Sequence, residues 1–288
     1  MKNSFWSIIA ISTLLLIASC KKKDSSNANE PKLIIKIVTD STQVRLGNLG
    51  NPSSIASGNA GQHPLFNGIA AHYLELAPSG NTALGAGAIL YHAAETAIGG
   101  SNAIDFSKAI IKNSGETYLE IPLKDIPVGT YDWVRLSVSY QNYDIKFYYG
   151  GMPYTGTIAS FVGFKSYISS LKVKNQTVNV NANKSQGFWA FESIAGIQTG
   201  QGAATTVPNP LFATSPIPAG SCVVTGQFAN SFVITGNETS NITVKLSLST
   251  NKSFEWNDAN GNGKFDVDAG SVENVVDMGL RGLIPVIE

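Results

Sequence analysis

The stretch of sequence that decides the fold is Tyr131-Asp132-Trp133-Val134-Arg135-Leu136-Ser137-Val138-Ser139-Tyr140. Apolar and polar residues alternate along it, and successive side chains of a β-strand point to opposite faces of the sheet. One face therefore carries Val134, Leu136, Val138 and Tyr140, and the other carries Arg135, Ser137 and Ser139. This alternation predicts a strand whose sheet has one face on the core and one face in solvent.

Segments of similar character lie on both sides of this stretch. They cover residues 33–38, 71–76, 88–92, 117–123, 187–192, 223–228, 231–235 and 241–249, and the last three are expected to form an antiparallel meander. Long Gly-, Ser- and Thr-rich loops are expected over residues 47–61 and 196–218, and residues 146–180 have the composition of a hairpin or an inserted loop. About ten short strands with this spacing predict an all-β fold, an antiparallel β-sandwich with long loops.

Composition supports the same fold class and narrows the classes of partner. The 288 residues include 28 glycines and 12 prolines, which favour short strands and turns over helices. The formal net charge is +0, only 14% of the residues are charged, and the mean hydropathy is +0.04. Because the chain lacks a basic field that would hold phosphates, nucleic acid is not an expected partner.

The N-terminus has the pattern of a secretory signal that ends in a lipid attachment site. Met1-Lys2-Asn3 supplies a positive start, and the apolar run over residues 5–17 is too short for an ordinary membrane-spanning helix. The run ends in Leu16-Ile17-Ala18-Ser19-Cys20, which resembles the bacterial lipobox. The resemblance implies attachment of a diacylglyceryl group to the Cys20 sulfur, cleavage before Cys20, and acylation of the new amino terminus by a fatty acid such as palmitate.

The alternative is a plain secretory leader that ends in a cysteine by coincidence. The small residues before Cys20 favour lipidation instead, and the polar segment over residues 21–30 is typical of a solvated tether. The expected organisation is a signal peptide over residues 1–19, a lipidated Cys20 with its tether over 20–30, and a β-sandwich domain over 31–288. A second β-lobe beginning near residue 150 is a further option. With Cys20 lipidated, Cys222 has no intramolecular disulfide partner and is interpreted as a small buried residue.

One loop near the C-terminus has the spacing of a calcium ligand set. The stretch from Trp256 to Asp268 reads WNDANGNGKFDVD. An EF-type loop needs oxygen ligands at positions 1, 3, 5 and 9, a glycine at 6, a backbone carbonyl at 7 and a bidentate acid at 12. Those positions up to 9 are filled in order by Asp258, Asn260, Asn262, Gly263, Lys264 and Asp266.

Position 12 of this loop is Ala269, which has no ligand atom. Asp268 lies one residue early and Glu273 four residues late, and either would complete the shell if the chain bends differently from a helix. Because a strand is expected just before it, the loop is predicted to lie on a sheet rather than between two helices. The candidate metal residues are Asp258, Asn260, Asn262, Lys264, Asp266 and Asp268, with calcium as the expected ion. The alternative is a solvated turn, because Asn-Gly dipeptides are also strong turn formers.

The histidines offer a second, weaker pattern. His72 and His92 fall on expected strands that are consecutive along the chain, so pairing of those strands would bring the two rings together. One interpretation is half of a metal site that needs at least one more ligand. The other, which the neighbouring Tyr73 and Tyr91 favour, is a pair of aromatic-rich strands with hydrogen-bonded imidazoles.

The sequence leaves two classes of function open. The first is a non-enzymatic envelope lipoprotein that binds a glycan or protein ligand or has a structural role. The second is a lipid-anchored hydrolase acting on polysaccharide, which would need two carboxyl groups at a defined separation. Candidate acids are numerous and their pairing cannot be chosen from sequence: Asp105, Glu116, Glu120, Asp125, Asp132 and Asp144. Several aromatic residues would suit a sugar-stacking platform, although core packing explains most of them equally well: Trp133, Tyr140, Tyr143, Tyr148, Tyr149, Tyr154, Phe188 and Trp189.

A family resemblance covers most of the mature chain. The segments that carry it are Phe66-Asn67-Gly68, His72-Tyr73-Leu74-Glu75-Leu76, Asn102-Ala103-Ile104-Asp105-Phe106, residues 129–135 and 140–144, and the junction Ser19-Cys20-Lys21-Lys22-Lys23-Asp24. In these segments the chain resembles uncharacterised surface lipoproteins of Bacteroidota. The resemblance implies an outer-membrane address, with the protein facing the periplasm or the cell exterior, and a β fold.

A fainter similarity concerns the strand, turn and strand around residues 127–131. Here the chain is similar to the copper- or haem-binding β-sandwich proteins found with methanobactin loci. This similarity implies no metal ligands for this chain, because no tryptophan or histidine lies in a motif that matches theirs.

Overall fold

The computed structural model describes residues 30–47, 51–203, 215–270, 272–278 and 280–288. Its strands are β1 (Lys32–Asp40), β2 (Asn59–Gln62), β3 (Leu65–Ala77), β4 (Ala88–His92), β5 (Glu95–Thr96), β6 (Ala103–Asp105), β7 (Thr117–Pro122), β8 (Gly129–Tyr149), β9 (Met152–Phe161), β10 (Lys165–Lys172), β11 (Thr177–Ser185), β12 (Phe188–Ser193), β13 (Gly196–Gln201), β14 (Cys222–Ile234), β15 (Ile242–Ser249), β16 (Phe254–Asn257), β17 (Val275–Met278) and β18 (Arg281–Ile287). The helical segments in these ranges are two single 3-10 turns, Phe106–Lys108 and Leu123–Asp125. The predicted all-β fold class is confirmed.

The strands form four sheets. A seven-stranded sheet has the order β13-β12-β9-β8-β3-β4, with β14 also paired to β8. Two four-stranded sheets have the orders β18-β15-β1-β7 and β11-β10-β6-β5, and a three-stranded sheet has the order β17-β16-β2. Most pairings are antiparallel, but β1 with β15 and β6 with β10 are parallel.

Strand β8 organises the seven-stranded sheet, because it pairs with other strands along both of its edges. Along one edge it pairs with β3 from Trp133 to Asp144. Along the other edge its first half pairs with β14 and its second half pairs with β9. The turn from β8 to β9 contains Gly150 and Gly151, both with positive φ and therefore well suited to glycine. The hairpin expected within residues 146–180 is confirmed, and the chain passes residue 150 inside one sheet.

Apolar side chains pack on both faces of this sheet. The larger cluster joins it to the β18-β15-β1-β7 sheet and includes Leu33, Leu136, Val224 and Leu246. A second cluster joins its other face to the β11-β10-β6-β5 sheet and includes Tyr140, Phe161, Ile168 and Leu171. The seven-stranded sheet is therefore the central layer of the sandwich.

The expectation that residues 131–140 have one face in solvent is wrong, because both faces of this stretch are buried. The polar side chains Arg135, Ser137 and Ser139 are all buried. Loop residues cover this face, and the Arg135 guanidinium donates to the carbonyl oxygens of Gly80 and Thr82 at 3.4 and 2.6 Å. Buried polar groups are tolerated when they are hydrogen-bonded in this way, so alternation alone did not indicate exposure.

The meander expected between residues 223 and 249 is also wrong. Residues 223–228 and 231–235 belong to the single strand β14, whose register against β8 shifts between Gln227 and Phe232. Strand β15 instead pairs with β1 and β18. Gly226 marks a close approach and not a turn, because the Leu283 carbonyl oxygen lies 2.5 Å from where a Cβ would be. Cys222 is buried in the larger cluster, as expected.

A buried hydroxyl completes the hydrogen bonding of β3 where its pairing with β8 is irregular. The register shifts between Ala70 and Ala71 and again between Ala71 and Tyr73. The Ala71 N–H donates instead to the Tyr118 hydroxyl of β7, at 2.8 Å. Tyr118 is itself buried, so this bond is shielded from water.

A buried ion cluster connects β16 and β17 with the start of β18. Glu255 accepts hydrogen bonds from Arg45 and, at 2.7 Å, from the Asn59 amide. Arg281 lies 3.5 Å from the same carboxylate and also pairs with Asp277. Burial alone would raise the pKa of Glu255, but the hydrogen bonds from Asn59 and Arg45 and the two guanidinium charges together lower it.

We predict that Tyr118→Phe destabilises the protein by about 1–2 kcal/mol, because it leaves the buried Ala71 N–H without an acceptor. The measurement is the free energy of unfolding from urea titration of the full chain in detergent. Tyr149→Phe is the matched control, because Tyr149 is exposed and its hydroxyl keeps access to water. Equal stability of the Tyr118→Phe variant and the wild type would contradict the assigned bond.

We predict that the stabilising effect of Glu255 is lost in acid. Its pKa is lower in the folded state, so its contribution is complete above the unfolded value of about 4.3 and disappears as pH falls through the folded value. Glu255→Gln should cost about 3–5 kcal/mol at pH 7, because Arg45 keeps a buried unpaired charge. The difference in unfolding free energy between wild type and variant should then shrink below about pH 4.

Burial raises the pKa of the neighbouring Asp277, and the Glu255 charge adds to this shift, so the comparison reports on the two carboxyl groups together. Glu120→Gln serves as the control, because Glu120 pairs with Lys32 on the surface and such pairs contribute about 1 kcal/mol or less. A difference for Glu255→Gln that stays constant from pH 7 to pH 3 would refute this prediction.

Candidate metal-binding sites

The acidic loop connects β16 to β17, which are antiparallel neighbours in the three-stranded sheet. It is therefore carried by a hairpin of strands, as the sequence predicted. Gly261 and Gly263 have φ of +68° and +70°, a conformation that residues with a Cβ adopt only with strain. These glycines let the chain coil tightly within the loop.

Side-chain oxygens of the loop accept hydrogen bonds from its own backbone. The Asp258 carboxylate accepts from the N–H groups of Asn262 and Gly263, at 3.1 and 2.9 Å. The Asn260 side-chain oxygen accepts from the Asn262 N–H at 3.0 Å, and the Asn262 side-chain oxygen accepts from the Lys264 N–H at 2.7 Å. These local bonds turn the oxygen-bearing side chains at positions 1, 3 and 5 toward one another.

Asp266 lies at the centre of this group. The side-chain amides of Asn260 and Asn262 donate to one Asp266 oxygen, at 2.9 and 2.8 Å. These two hydrogen bonds lower the pKa of Asp266, so its carboxylate is charged at neutral pH.

Glu273 closes the loop. Its buried carboxylate accepts from the N–H groups of Ala259 and Asp266, at 3.0 and 2.9 Å. Asp268, the nearer alternative, accepts instead from the Gly150 N–H at 2.6 Å. Glu273 therefore bonds to the backbone of the loop that carries Asp258, Asn260, Asn262 and Asp266, whereas Asp268 bonds to the β8–β9 hairpin.

The same loop is joined to the tip of the β8–β9 hairpin. The Tyr148 N–H donates to the Phe265 carbonyl at 2.8 Å, and the Val267 N–H donates to the Tyr148 carbonyl at 2.9 Å. The Lys264 carbonyl, expected as a ligand, accepts from the Trp256 indole at 3.1 Å, and the Lys264 ammonium lies 5.1 Å from the centre of the Tyr148 ring. The geometry of the loop and that of the hairpin tip are therefore linked.

A second group of metal-ligand side chains forms where β3, β4 and β5 meet. In the register of β3 against β8, Ala71 lies opposite Val138 and Tyr73 lies opposite Ser137, so His72 is the extra residue of a β-bulge. On the other edge of β3, Tyr73 lies opposite His92 of β4. The bulge and this register bring the two histidine rings to a centroid separation of 4.7 Å.

Glu95 supplies the third side chain of this group. Its Oε1 lies 2.9 Å from His72 Nε2 and 3.7 Å from His92 Nε2. Burial lowers the pKa of His72 more than the nearby Glu95 raises it. Sequence reasoning anticipated the two histidines but missed Glu95, although the three-residue spacing from His92 was visible.

One nitrogen of His72 has no hydrogen-bond partner. The side chain is fully buried, and its Nδ1 lacks a partner among the described residues. The expected hydrogen-bonded imidazole is therefore found at Nε2, which bonds to Glu95, but not at Nδ1. An unpaired buried polar atom costs about 1–3 kcal/mol.

Three of the six acids considered for glycoside hydrolysis have structural partners. Asp105 caps the first 3-10 turn through Ser107, Glu116 accepts from the Asn113 N–H, and Asp144 pairs with Lys174. The pKa of each of these three carboxyl groups is lowered, whereas a general acid needs a raised pKa. These positions therefore do not support a catalytic acid pair.

Most of the aromatic residues considered for sugar stacking contribute to the core. Tyr140, Tyr143 and Phe188 are buried, and Tyr154 stacks on Phe147 at a centroid distance of 5.7 Å. Tyr149 at the hairpin tip is different, because 55% of it is exposed. Of these five residues, Tyr149 is the one that offers an exposed ring to a ligand, and it lies at the hairpin tip.

Together these features define an all-β sandwich protein with a group of metal-ligand side chains at His72, His92 and Glu95. It also has an acidic loop whose carboxylates bond to the backbone and amides of the same loop. Within the described ranges, no helix has the length and apolar character needed to cross a bilayer. Comparison of the chain with protein-family models, with curated proteins and with solved structures finds no match in any of the three. Cys20 and the signal peptide lie outside the described residues.

Proposed function

We propose that this protein is a lipid-anchored binding or structural module of the cell envelope, held in the outer membrane through Cys20 and structured at one end by calcium. The observation that carries the proposal is a loop in which the Asn260 and Asn262 amides both bond to the Asp266 carboxylate and Glu273 bonds to the Asp266 backbone. Three carboxylates and two amides are hard oxygen ligands, which calcium prefers.

The proposed location in the cell envelope rests on the sequence pattern of the N-terminus. A signal-like apolar run that ends in Ala18-Ser19-Cys20 and continues into a polar tether is the arrangement of a bacterial lipoprotein. Two or more acyl chains make a durable anchor, whereas a single chain binds membranes only reversibly. The resemblance to surface lipoproteins of Bacteroidota supports the same location, with the folded domain in the periplasm or at the cell surface.

Electrostatics favours a cation in the loop. Asp258, Asp266 and Glu273 place three carboxyl groups in one short loop, where they accept hydrogen bonds from N–H groups. The bonds from Asn260 and Asn262 lower the pKa of Asp266, and the charge of Lys264, whose ammonium lies over the Tyr148 ring, adds to this. A bound divalent ion would attract these carboxylates and so stabilise the folded state.

The calcium loop gives the module a means of presenting a ligand surface. Its hydrogen bonds to Tyr148 and Gly150 hold the tip of the β8–β9 hairpin, where Tyr149 and Met152 are 55% and 61% exposed. An exposed aromatic ring on a fixed turn suits contact with a sugar ring or an apolar protein surface. We therefore place the glycan or protein ligand at this tip.

We predict that Cys20→Ala abolishes incorporation of labelled fatty acid and releases the protein from the membrane fraction, because the acyl chains attach through the Cys20 sulfur. The measurement is metabolic labelling followed by membrane fractionation. Cys222→Ala is the matched control, since this buried cysteine should leave labelling and membrane retention unchanged. Membrane retention and labelling of the Cys20→Ala protein at wild-type levels would exclude the lipid anchor.

We predict that 1 mM calcium raises the melting temperature of the full chain in detergent by a few degrees. With a dissociation constant of about 10⁻⁴ M, mass action stabilises the folded state by RT ln 11, about 1.4 kcal/mol. Asp258→Asn keeps an oxygen that accepts from the Gly263 N–H but removes one charge, so it should lose most of the shift. The measurement is calorimetric melting with calcium and with chelator.

Asp132→Asn is the matched acid-to-amide control, because Asp132 bonds to Ser231 and lies outside the loop. It should keep the full calcium shift. An absence of binding heat in calorimetric titration of the wild type, together with an unchanged melting temperature, would refute the calcium site.

A further inference from the structure

We propose that His72, His92 and Glu95 form a zinc site that is separate from the acidic loop. Their ligand atoms lie within 4.8 Å of one another, and they come from strands β3, β4 and β5. Two imidazoles and one carboxylate are a known ligand set for zinc with an open fourth position. The acidic loop, by contrast, offers only oxygen ligands, so the two sites should differ in the metal that they select.

The spacing of the three side chains suits tetrahedral coordination. With metal–ligand bonds of about 2.0–2.2 Å, neighbouring ligand atoms of a tetrahedral ion are separated by about 3.4 Å. The distances from Glu95 Oε1 to the Nε2 atoms of His72 and His92 are 2.9 and 3.7 Å, on either side of that value. Small rotations of His92 and Glu95 are therefore enough to admit an ion.

His72 is a fixed ligand. The β-bulge places it in the sheet, its ring packs 5.4 Å from Phe164, and its side chain is fully buried. Its Nε2 is the nitrogen directed at Glu95, so Nε2 is the atom that would bind the ion.

Asn102 positions Glu95 through the carboxylate oxygen that does not face the histidines. The Asn102 side-chain amide donates to Glu95 Oε2 at 2.5 Å, which leaves Oε1 directed at the two histidines. Outer hydrogen bonds of this kind orient metal ligands and raise affinity. Asn102 therefore acts as a positioning residue for the site.

Solvent reaches the site from the side of His92. The His92 and Glu95 side chains are 38% and 22% exposed, whereas His72 is fully buried. An ion can therefore enter without unfolding the sheet, and a water molecule would take the fourth position. The site would link β3 to β4 and β5, which otherwise form an edge of the structure.

The test is calorimetric titration of the full chain in detergent with zinc, in 1 mM calcium so that the acidic loop is already supplied. We expect one zinc ion per chain. Because loss of an outer partner costs 10–100-fold in affinity, loss of a ligand in His92→Ala or Glu95→Gln should weaken binding by at least about 100-fold. Both positions are partly exposed, so both variants should fold; melting temperature without metal checks this.

Control variants, cobalt(II) absorption and an Asn102 variant test the site further. His63→Ala is the matched control, because His63 is exposed and bonds to the Lys252 N–H elsewhere; it should keep zinc binding, as should Asp258→Asn. Cobalt(II) should show the visible absorption of a tetrahedral site in the wild type, and this absorption should be lost in Glu95→Gln. Asn102→Ala should weaken zinc binding about 10–100-fold while leaving the stoichiometry at one.

The proposal is overturned by wild-type protein that does not bind zinc, or by zinc binding of equal affinity in His92→Ala, Glu95→Gln and the wild type. Binding of copper(II) without zinc would also overturn it, since the ligand spacing would then serve a tetragonal ion. The zinc titration contains calcium and includes Asp258→Asn as a control, so the two proposals are tested separately. A negative result for zinc would not contradict the calcium loop, and a negative result for calcium would not contradict the zinc site.

Discussion

The rest of the structure depends on strand β8, which is paired along both edges and covered on both faces. Its 21 residues span about 70 Å at 3.3 Å per residue, far more than an ordinary strand. A strand of this length cannot be matched by one partner, so β9 and β14 share one edge while β3 follows most of the other. The two four-stranded sheets then pack against opposite faces of the sheet that β8 organises.

Both candidate metal sites follow from this arrangement. Because β3 must stay in register with β8 on one side and β4 on the other, the irregularity at Ala71 to Tyr73 is absorbed as a bulge that sets His72 against His92. At the far end of β8, the hairpin tip meets the acidic loop through backbone hydrogen bonds at Tyr148. Strand β8 therefore pairs near its middle with the strand that carries His72, and it contacts the acidic loop at its end.

The two clusters differ in how the chain holds them without an ion. In the acidic loop nearly every ligand oxygen already accepts a hydrogen bond, with Glu273 tied to the backbone at Ala259 and Asp266. That loop keeps its shape through these bonds, and calcium would add a modest stabilisation. At the other cluster Glu95 Oε1 lies 2.9 Å from His72 Nε2 and 3.7 Å from His92 Nε2, so a metal ion would take the place of direct contacts between the ligand atoms.

The sequence by itself determined the features that depend on local chemistry. Period-2 alternation and turn residues predicted the all-β class, the Asp-Asn-Asn-Gly spacing predicted the coiled loop from Asp258 to Asp266, and the residues before Cys20 predicted lipidation. These patterns act over a few residues, where side-chain spacing alone sets which atoms can meet. The choice of calcium and the lipid anchor remain predictions.

Only the tertiary structure decided which segments meet. The burial of Arg135, Ser137 and Ser139, the continuity of β14 and the parallel pairing of β1 with β15 depend on contacts between residues far apart in the chain. Glu95 joined His72 and His92 for the same reason, and Glu273 replaced Asp268 because the loop bends back on Ala259. The sequence of a strand shows that its two faces differ in polarity. What covers each face depends on the neighbouring elements, and the packing of the whole chain determines which elements those are.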